Sequence, residues 1–205
     1  SDIYIKHELK RDPNGNIAID PSSGNLSMQE TGLRKAGRLA PNYNMGWNNS
    51  ISYQGLTLGF VVSARVGGLV YSATQGILDY YGGSQASADA RNTGGVPINY
   101  GKIDAKKYYQ TISTAEGGYG TYYLYSATNV RLQELSLSYD FPKKWFHNKL
   151  NLSVGLLARN LWMIYCKAPF DPEFSASTSS NFYQGVDYFM QPSTRNIGFN
   201  VKVQF

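Results

Sequence analysis

The sequence predicts an all-β chain built from long strands, each with one apolar and one polar face. Only 16% of the 205 residues are charged, against about 25% in an average soluble domain. The 17 Tyr and 21 Gly argue against a disordered chain. No apolar run approaches the ~18 residues of a membrane-spanning helix. Five segments instead alternate apolar and polar residues, which indicates strands.

The first two strands are predicted at 43–53 and 56–66. Each alternates with period two, and only Gln54 and Gly55 separate them. Two alternating runs joined by a two-residue turn predict a β-hairpin.

A second pair of strands is predicted at 130–141 and 149–159, around a turn at 142–148. The apolar residues of the first of these strands change phase near Gln133 and Glu134. A phase change of this kind predicts a β-bulge.

The fifth strand is predicted at 195–205, where every second residue is apolar: Ile197, Phe199, Val201, Val203 and Phe205. Residues 1–9 are a candidate sixth strand. A small closed barrel needs about eight strands, so five or six predict an incomplete barrel.

Long polar segments at 9–42, 67–128 and 161–192 alternate with these short turns, and short helices are predicted at 69–81 and 104–112. Short turns at one end and long loops at the other are typical of a transmembrane β-barrel. Aromatic residues are expected at both membrane interfaces: Tyr53, Tyr139, Phe141, Trp145 and Phe205 near the turns, and Trp47, Trp162 and Tyr165 near the loops. A soluble or surface glycan-binding β-sandwich, or an adhesin module, would also alternate and stays open as the alternative.

Several segments resemble SusC/RagA-type TonB-dependent outer-membrane transporters. They include Asn-Val-Arg-Leu-Gln-Glu-Leu-Ser-Leu-Ser-Tyr-Asp-Phe-Pro-Lys-Lys-Trp at 129–145 and Ala-Arg-Asn-Leu-Trp at 158–162. The others are Ala-Pro-Phe-Asp-Pro-Glu at 168–173, the stretch 188–199, the ending Val-Lys-Val-Gln-Phe at 201–205, and the stretch 42–50.

The resemblance implies that residues 1–205 are the C-terminal segment of a barrel of about 22 strands. The plug domain and the TonB box are expected outside this chain. The long loops would be extracellular, and the short turns and the C-terminus periplasmic.

The resemblance also implies a Gram-negative outer-membrane importer of nutrients, with oligosaccharides or oligopeptides as cargo. The expected partners are a SusD-like surface lipoprotein that acts as a lid, the TonB complex acting through the missing N-terminal part, and outer-membrane lipid. A dimer of SusCD-type pairs is implied as well.

No enzyme is predicted. The two histidines, His7 and His147, lie near no nucleophile, and no catalytic motif is present. Asp171 and Glu173 are interpreted as turn residues rather than a hydrolytic pair. The net charge of +5 is dispersed along the chain, so nucleic-acid binding is not expected.

No cofactor is expected, and a calcium site is the one metal candidate. Its oxygen ligands would come from alternate positions: Asp12, Asn14, Asn16 and Asp20. The spacing departs from an EF-hand, and an Asn-Gly turn explains these residues without a metal.

Tyrosines of the long loops are candidates for contacts with substrate or lid, since tyrosine combines an apolar face with a polar tip. They are Tyr71, Tyr80, Tyr81, Tyr122 and Tyr123; packing of the loops on one another is the alternative. Four residues are candidates for the membrane interface or for an assembly signal: Phe205, Val203, Trp145 and Tyr139.

Overall fold

The computed structural model describes residues 2–113, 121–173 and 185–204. These residues fall into two compact units. We call the first the loop unit (Ser1–Ala40, Gly68–Ser126 and Glu173–Met190) and the second the sheet unit (Pro41–Gly67, Ala127–Pro172 and Gln191–Phe205).

The described residues form mostly strands. In chain order the elements are β1 (Asp2–Leu9), β2 (Met28–Arg38), β3 (Tyr43–Tyr53), β4 (Leu56–Val66), β5 (Leu69–Ser72), α1 (Ala73–Tyr81), α2 (Gln85–Asn92), β6 (Val96–Ile98), β7 (Gly101–Ile103), α3 (Ala105–Ser113), β8 (Leu124–Ser126), β9 (Asn129–Asp140), a 3₁₀ turn (Lys143–Phe146), β10 (Asn151–Cys166), β11 (Val186–Asp187) and β12 (Asn196–Gln204). None of the helices in the described ranges is long and apolar enough to cross a membrane.

The sheet unit contains one antiparallel five-stranded sheet in the order β3-β4-β9-β10-β12. These are the five strands predicted from the alternation. Each strand pairs with the next of the five along the chain, and among the described residues β3 and β12 form the two edges of the sheet. The fold prediction is confirmed: the chain contributes a set of strands, and not a complete barrel.

The hairpin between β3 and β4 turns at Gln54 and Gly55, with φ angles of 46° and 87°. Positive φ at both central residues is the backbone of a type I′ turn, which matches the twist of antiparallel strands. The register runs from Tyr53–Leu56 to Tyr43–Val66 without a shift, so this short turn fixes which face each side chain occupies.

We expect Gly55→Ala to destabilise the full-length protein by at least about 1 kcal/mol, because an L side chain is disfavoured at positive φ. A Cβ at this position would also lie 2.7 Å from the carbonyl oxygen of Asp140. Gly46→Ala is the matched control, since a Cβ there meets no atom within 4 Å. Guanidinium unfolding in detergent measures both variants, and equal effects would contradict the role of the turn.

The predicted bulge lies at Gln133. The pairing of β9 with β4 passes from Glu134–Val61 to Leu132–Val62, which leaves Gln133 as the extra residue. On the other side β10 passes from Arg159 to Trp162 over the same step, and Asn160 takes a positive φ of 51°. The pairing of β9 with both neighbouring strands, β4 and β10, therefore shifts in register at the same level of the sheet.

Strand β10 continues to Cys166, beyond the predicted end at residue 159. This corrects the prediction of a loop from residue 161. Beyond the bulge Trp162, Met163, Tyr165 and Cys166 pair again with β9. The irregularity near Asn160 changes the phase of the alternation, so the second half of the strand does not continue the pattern of the first.

Strand β2 lies inside the segment predicted as a loop at 9–42, which is a second correction. It pairs with β1 in a separate two-stranded sheet. Three cross-strand ion pairs accompany the pairing: Lys6–Glu30 at 2.7 Å, Lys35–Asp2 at 2.9 Å and Arg34–Glu8. Cross-strand pairs of opposite charge stabilise antiparallel strands. Because such strands need no alternation of apolar residues, the sequence pattern did not indicate β2.

The three helices of the loop unit begin at side-chain caps. Ser72 Oγ accepts from the Gln75 amide at 3.1 Å, Ser84 Oγ accepts from the Ser87 amide at 3.1 Å, and Asp104 Oδ1 accepts from the Lys107 amide at 3.0 Å. The helix predicted at 104–112 is confirmed. The helix predicted at 69–81 starts only at Ala73, and α2 was not predicted.

The loop unit has a hydrophobic core of its own. It is formed by Leu9, Leu26, Ile98, Ile103, Ile112 and Tyr123, each at most 8% exposed. The long segments between the predicted strands therefore pack into a defined structure.

Candidate functional site

The outer face of the five-stranded sheet is a continuous apolar surface. One row of paired residues crosses all five strands: Ile51, Leu58, Leu137, Leu156 and Phe199. A second row is Tyr53, Leu56, Tyr139, Val154 and Val201. Phe199 is 81% exposed and Leu156 is 58% exposed, so this face is not covered within the sheet unit.

The buried apolar side chains of the sheet unit, among the residues that the structure describes, are small: Ala127, Ala168 and Pro172. A soluble β-sandwich would bury large apolar side chains between two sheets. This sheet instead presents its large apolar side chains outward. The soluble alternative therefore finds no support in the packing of this unit.

Aromatic side chains lie at both ends of the apolar face. Near the short turns, Phe141 packs edge-on against Tyr139 with ring centroids 4.9 Å apart, and its centroid lies 5.8 Å from that of Trp145. Toward the other end, the rings of Trp47 and Phe60 pack edge-on with their centroids 5.0 Å apart. Trp162 is also exposed there. Exposed aromatic residues in two belts are typical of membrane–water interfaces.

The opposite face of the sheet carries mostly polar or small residues, with Val61 and Leu157 as apolar exceptions. Its rows include Ser52, Thr57, Ser138, Gly155 and Asn200. Glu134 and Arg159 form an ion pair at 3.0 Å on this face. A sheet with one apolar and one polar surface has the two faces that a barrel wall needs, toward lipid and toward the lumen.

A buried ion pair brings together three segments that carry the family resemblance. Arg131 of β9 donates from Nη2 to Asp171 Oδ1 at 2.6 Å, and the two side chains are 6% and 9% exposed. Arg131 Nη1 also donates to Asn160 Oδ1 at 3.3 Å. The sequence predicts no joint role for these residues, because each lies in a different segment and Asp171 is interpreted as a turn residue.

The candidate tyrosines of the loop unit divide into buried and exposed groups. Tyr123 is 2% exposed and donates from its hydroxyl to Asp79 Oδ2 at 2.9 Å. Tyr71 meets it edge-on with centroids 6.5 Å apart. Burial raises the pKa of Tyr122 to about 12 and also raises the pKa of Tyr123, so both hydroxyls stay neutral at physiological pH.

Tyr123 is therefore a core residue of the loop unit, and its contact with substrate or lid stays a prediction. Tyr81, in contrast, is 81% exposed, and Tyr80 packs edge-on against it with centroids 5.1 Å apart. For Tyr80 and Tyr81, contact with a ligand stays a prediction.

The calcium candidates lie in two tight turns. The carboxylate of Asp12 accepts from the backbone amides of Asn14 at 2.9 Å and Asn16 at 2.8 Å, and these hydrogen bonds lower the pKa of Asp12. Hydrogen bonds from Ser22 and Ser23 lower the pKa of Asp20 to about 2. No group of three or more His, Cys, Asp or Glu side chains among the described residues could hold a metal ion. Calcium binding stays a prediction.

Three of the four candidates for the membrane interface lie on the apolar face of the sheet or in the short turn after β9. Trp145 is exposed in the 3₁₀ turn, and Tyr139 lies on the apolar face. Val203 is exposed on the edge strand β12 and pairs with Leu152. Phe205, the candidate assembly signal, lies outside the described residues.

The fold defines a class: a segment of the wall of a transmembrane β-barrel, with loop structure inserted between its strands. No protein-family model matches the chain. Over 202 residues, 95% of its length, the chain is 25% identical to the TonB-dependent receptor P3 of Formosa agariphila.

Two solved structures share the fold. The RagAB peptide importer in the 'closed-closed' state matches 98% of the chain with a TM-score of 0.60 and 19% identity. The RagAB peptide transporter matches 98% with a TM-score of 0.58 and 20% identity. The resemblance to SusC/RagA-type TonB-dependent transporters is thus confirmed. The chain spans 19% of the curated relative and 22% of each structural neighbour.

Proposed function

We propose that this chain forms part of the barrel wall and the extracellular loops of an outer-membrane TonB-dependent nutrient importer. One observation carries the proposal: the apolar face of the five-stranded sheet is exposed, and the apolar side chains that the described part of the sheet unit buries are small. Such a face is stable against the hydrocarbon of a membrane, where charged substitutions are costly.

The edges of the sheet support a larger barrel. Within the described residues β3 pairs only with β4, and β12 pairs only with β10. Each unpaired backbone group in lipid costs several kcal/mol, so barrels close on themselves. We propose that further strands of the same protein pair with β3 and β12, and that this chain is the C-terminal segment of the barrel domain.

The partners follow from the proposed class. We propose a SusD-like surface lipoprotein as the lid, in pairs that dimerise, and the TonB complex as the source of energy through an N-terminal part. The cargo would be oligosaccharides or oligopeptides. The chain would bind and pass cargo without chemical change, since the proteins it resembles are described as a receptor, an importer and a transporter.

The orientation of the barrel gives a direct test. We expect a cysteine at Tyr100, which is 99% exposed in the loop unit, to react with a membrane-impermeant maleimide on intact cells. A cysteine at Lys144, in the exposed 3₁₀ turn, should react only after the outer membrane is opened. Both substitutions are made in the full-length protein with Cys166 replaced by serine.

Labelling of both positions on intact cells, or of Lys144→Cys alone, would contradict the orientation. Recovery of the protein in the aqueous fraction would contradict the barrel itself.

Import is tested separately by uptake. Cells expressing the full-length protein should take up a labelled oligosaccharide mixture or a labelled oligopeptide mixture only while TonB is functional. Uptake that persists without TonB would contradict an energised importer.

A further inference from the structure

A cavity of about 340 Å³ lies within the loop unit among the three helices α1, α2 and α3. Its walls include Tyr81, Ser87, Arg91, Lys106, Tyr109 and Gln110. This volume falls in the range of pockets that hold small ligands, about 300–1,000 Å³. Tyr80 and Tyr81, two of the tyrosines predicted to contact substrate or lid, are among its lining residues.

Two cations line the cavity, and one of them is held in place. Arg91 Nη1 donates to the carbonyl oxygen of Gly82 at 3.0 Å and to Ser87 Oγ at 3.4 Å. A side chain at Gly82 would place a Cβ 2.7 Å from that same nitrogen, so glycine permits this approach. Within the described residues, Nη2 of Arg91 and Nζ of Lys106 have no hydrogen-bond partner.

The lining carries two cations and, among the described residues, one carboxylate, that of Asp79, which forms no ion pair with either of them. Asp79 is buried, and its two oxygens accept from Gln75 Nε2 at 3.0 Å and from Tyr123 at 2.9 Å. Asp89 Oδ1 accepts from Gln85 Nε2 at 2.7 Å on the exposed side of α2. Asp104 caps α3 through its Oδ1.

Aromatic and amide groups complete the lining. Tyr81 presents an exposed ring, and Tyr109 stays a neutral donor because burial raises its pKa. Gln110 adds an amide that can donate and accept. Rings, an amide and two cations suit a ligand that has an apolar face, hydroxyl or amide groups, and a negative charge.

We propose that this cavity binds a carboxylate group of the cargo, with Arg91 and Lys106 as its partners and Tyr81 against the adjacent apolar face. The carboxylate could belong to an acidic sugar unit or to an acidic peptide side chain. This assignment rests on the proposed import function and specifies the chemistry of the cargo.

The test is calorimetric binding to the purified full-length protein in detergent. The probes are a galacturonic acid trimer with maltotriose as its neutral counterpart, and triglutamate with triglutamine as its neutral counterpart. We expect Lys106→Gln to weaken binding of at least one acidic probe about tenfold. Lys10→Gln is the matched control, because Lys10 is exposed in the same unit and does not line the cavity.

Each outcome decides the proposal. If Lys106→Gln weakens binding of the galacturonic acid trimer alone, the cargo is a saccharide, and if it weakens binding of triglutamate alone, the cargo is a peptide. Weaker binding of both acidic probes confirms the shared carboxylate chemistry. Acidic and neutral probes of equal affinity would overturn the proposal, and so would no effect of Lys106→Gln relative to Lys10→Gln. Tyr81→Ala leaves both cations in place and should lower the affinity for the same acidic probe.

The failure of this proposal is distinguishable from the failure of the import function. The cysteine labelling and the uptake assay report on the barrel whether or not this cavity binds an acid. If the wild-type protein passes both and the acidic probes show no dependence on Lys106, only the cavity assignment is wrong.

Discussion

Phe199→Arg is expected to lower the free energy of unfolding of the membrane-embedded barrel by about 2–4 kcal/mol. Phe199 is 81% exposed at the end of a row that also contains Leu137 and Leu156. A guanidinium at this position would enter the hydrocarbon of the membrane and would have to be solvated there at high cost.

The neighbouring residue supplies the matched control. Asn200 lies on the polar face of the same strand, paired with Gly155, so Asn200→Arg adds the same charge toward the lumen. Two measurements compare the variants: the fraction of full-length protein that reaches the outer membrane in its heat-modifiable form, and guanidinium unfolding in lipid vesicles. Normal assembly and stability of Phe199→Arg would show that this face does not meet lipid.

Breaking the buried ion pair is expected to have the second large effect. Asp171→Asn removes the carboxylate that pairs with the buried Arg131 guanidinium at 2.6 Å, which should cost about 3–5 kcal/mol. Because Asp171 holds the end of the segment 167–171 that follows β10, the same change should speed trypsin cleavage after Lys167, which is already exposed. Guanidinium unfolding and limited proteolysis of the purified full-length protein measure the two effects.

An exposed ion pair between β9 and β10 is the control. Glu134 and Arg159 lie 3.0 Å apart on the polar face, with side chains 34% and 62% exposed, so Glu134→Gln should cost only about 0–1 kcal/mol. Replacing Arg131 with Met and Asp171 with Leu together should recover much of the lost stability, because a buried pair can be exchanged for apolar packing. If Asp171→Asn costs no more than Glu134→Gln, the buried pair does not anchor this segment.

The sequence was sufficient to predict the five-stranded sheet because lipid and lumen impose opposite requirements on alternate residues. Strand β3 was predicted at its observed bounds, and the bulge was located from a single change of phase near Gln133. The hairpin at Gln54 and Gly55 was predicted from the distance between two alternating runs.

Features that depend on tertiary contacts were not predictable in this way. Strand β2 contacts β1 through charged side chains, so its sequence shows no alternation of apolar residues. The helix α2 is short and polar, and only its Ser84 cap distinguishes it from a loop. The pairing of Arg131 with Asp171, and the burial of Tyr123 beside Asp79, arise from segments that are distant in sequence.

The pairing of β4 with β9 has a consequence for how such proteins can be re-engineered. Arg65 pairs with Asn129, and the Gly67 amide donates to Thr128 Oγ1 at 3.0 Å. The segment between Gly67 and Thr128 therefore leaves the sheet and returns to it at neighbouring positions. Each doubling of loop length costs only about 0.6 kcal/mol of closure entropy. Exchanging residues 68–126 for a segment of different length should leave the register of the strands unchanged, which makes this junction a site for building chimeric proteins.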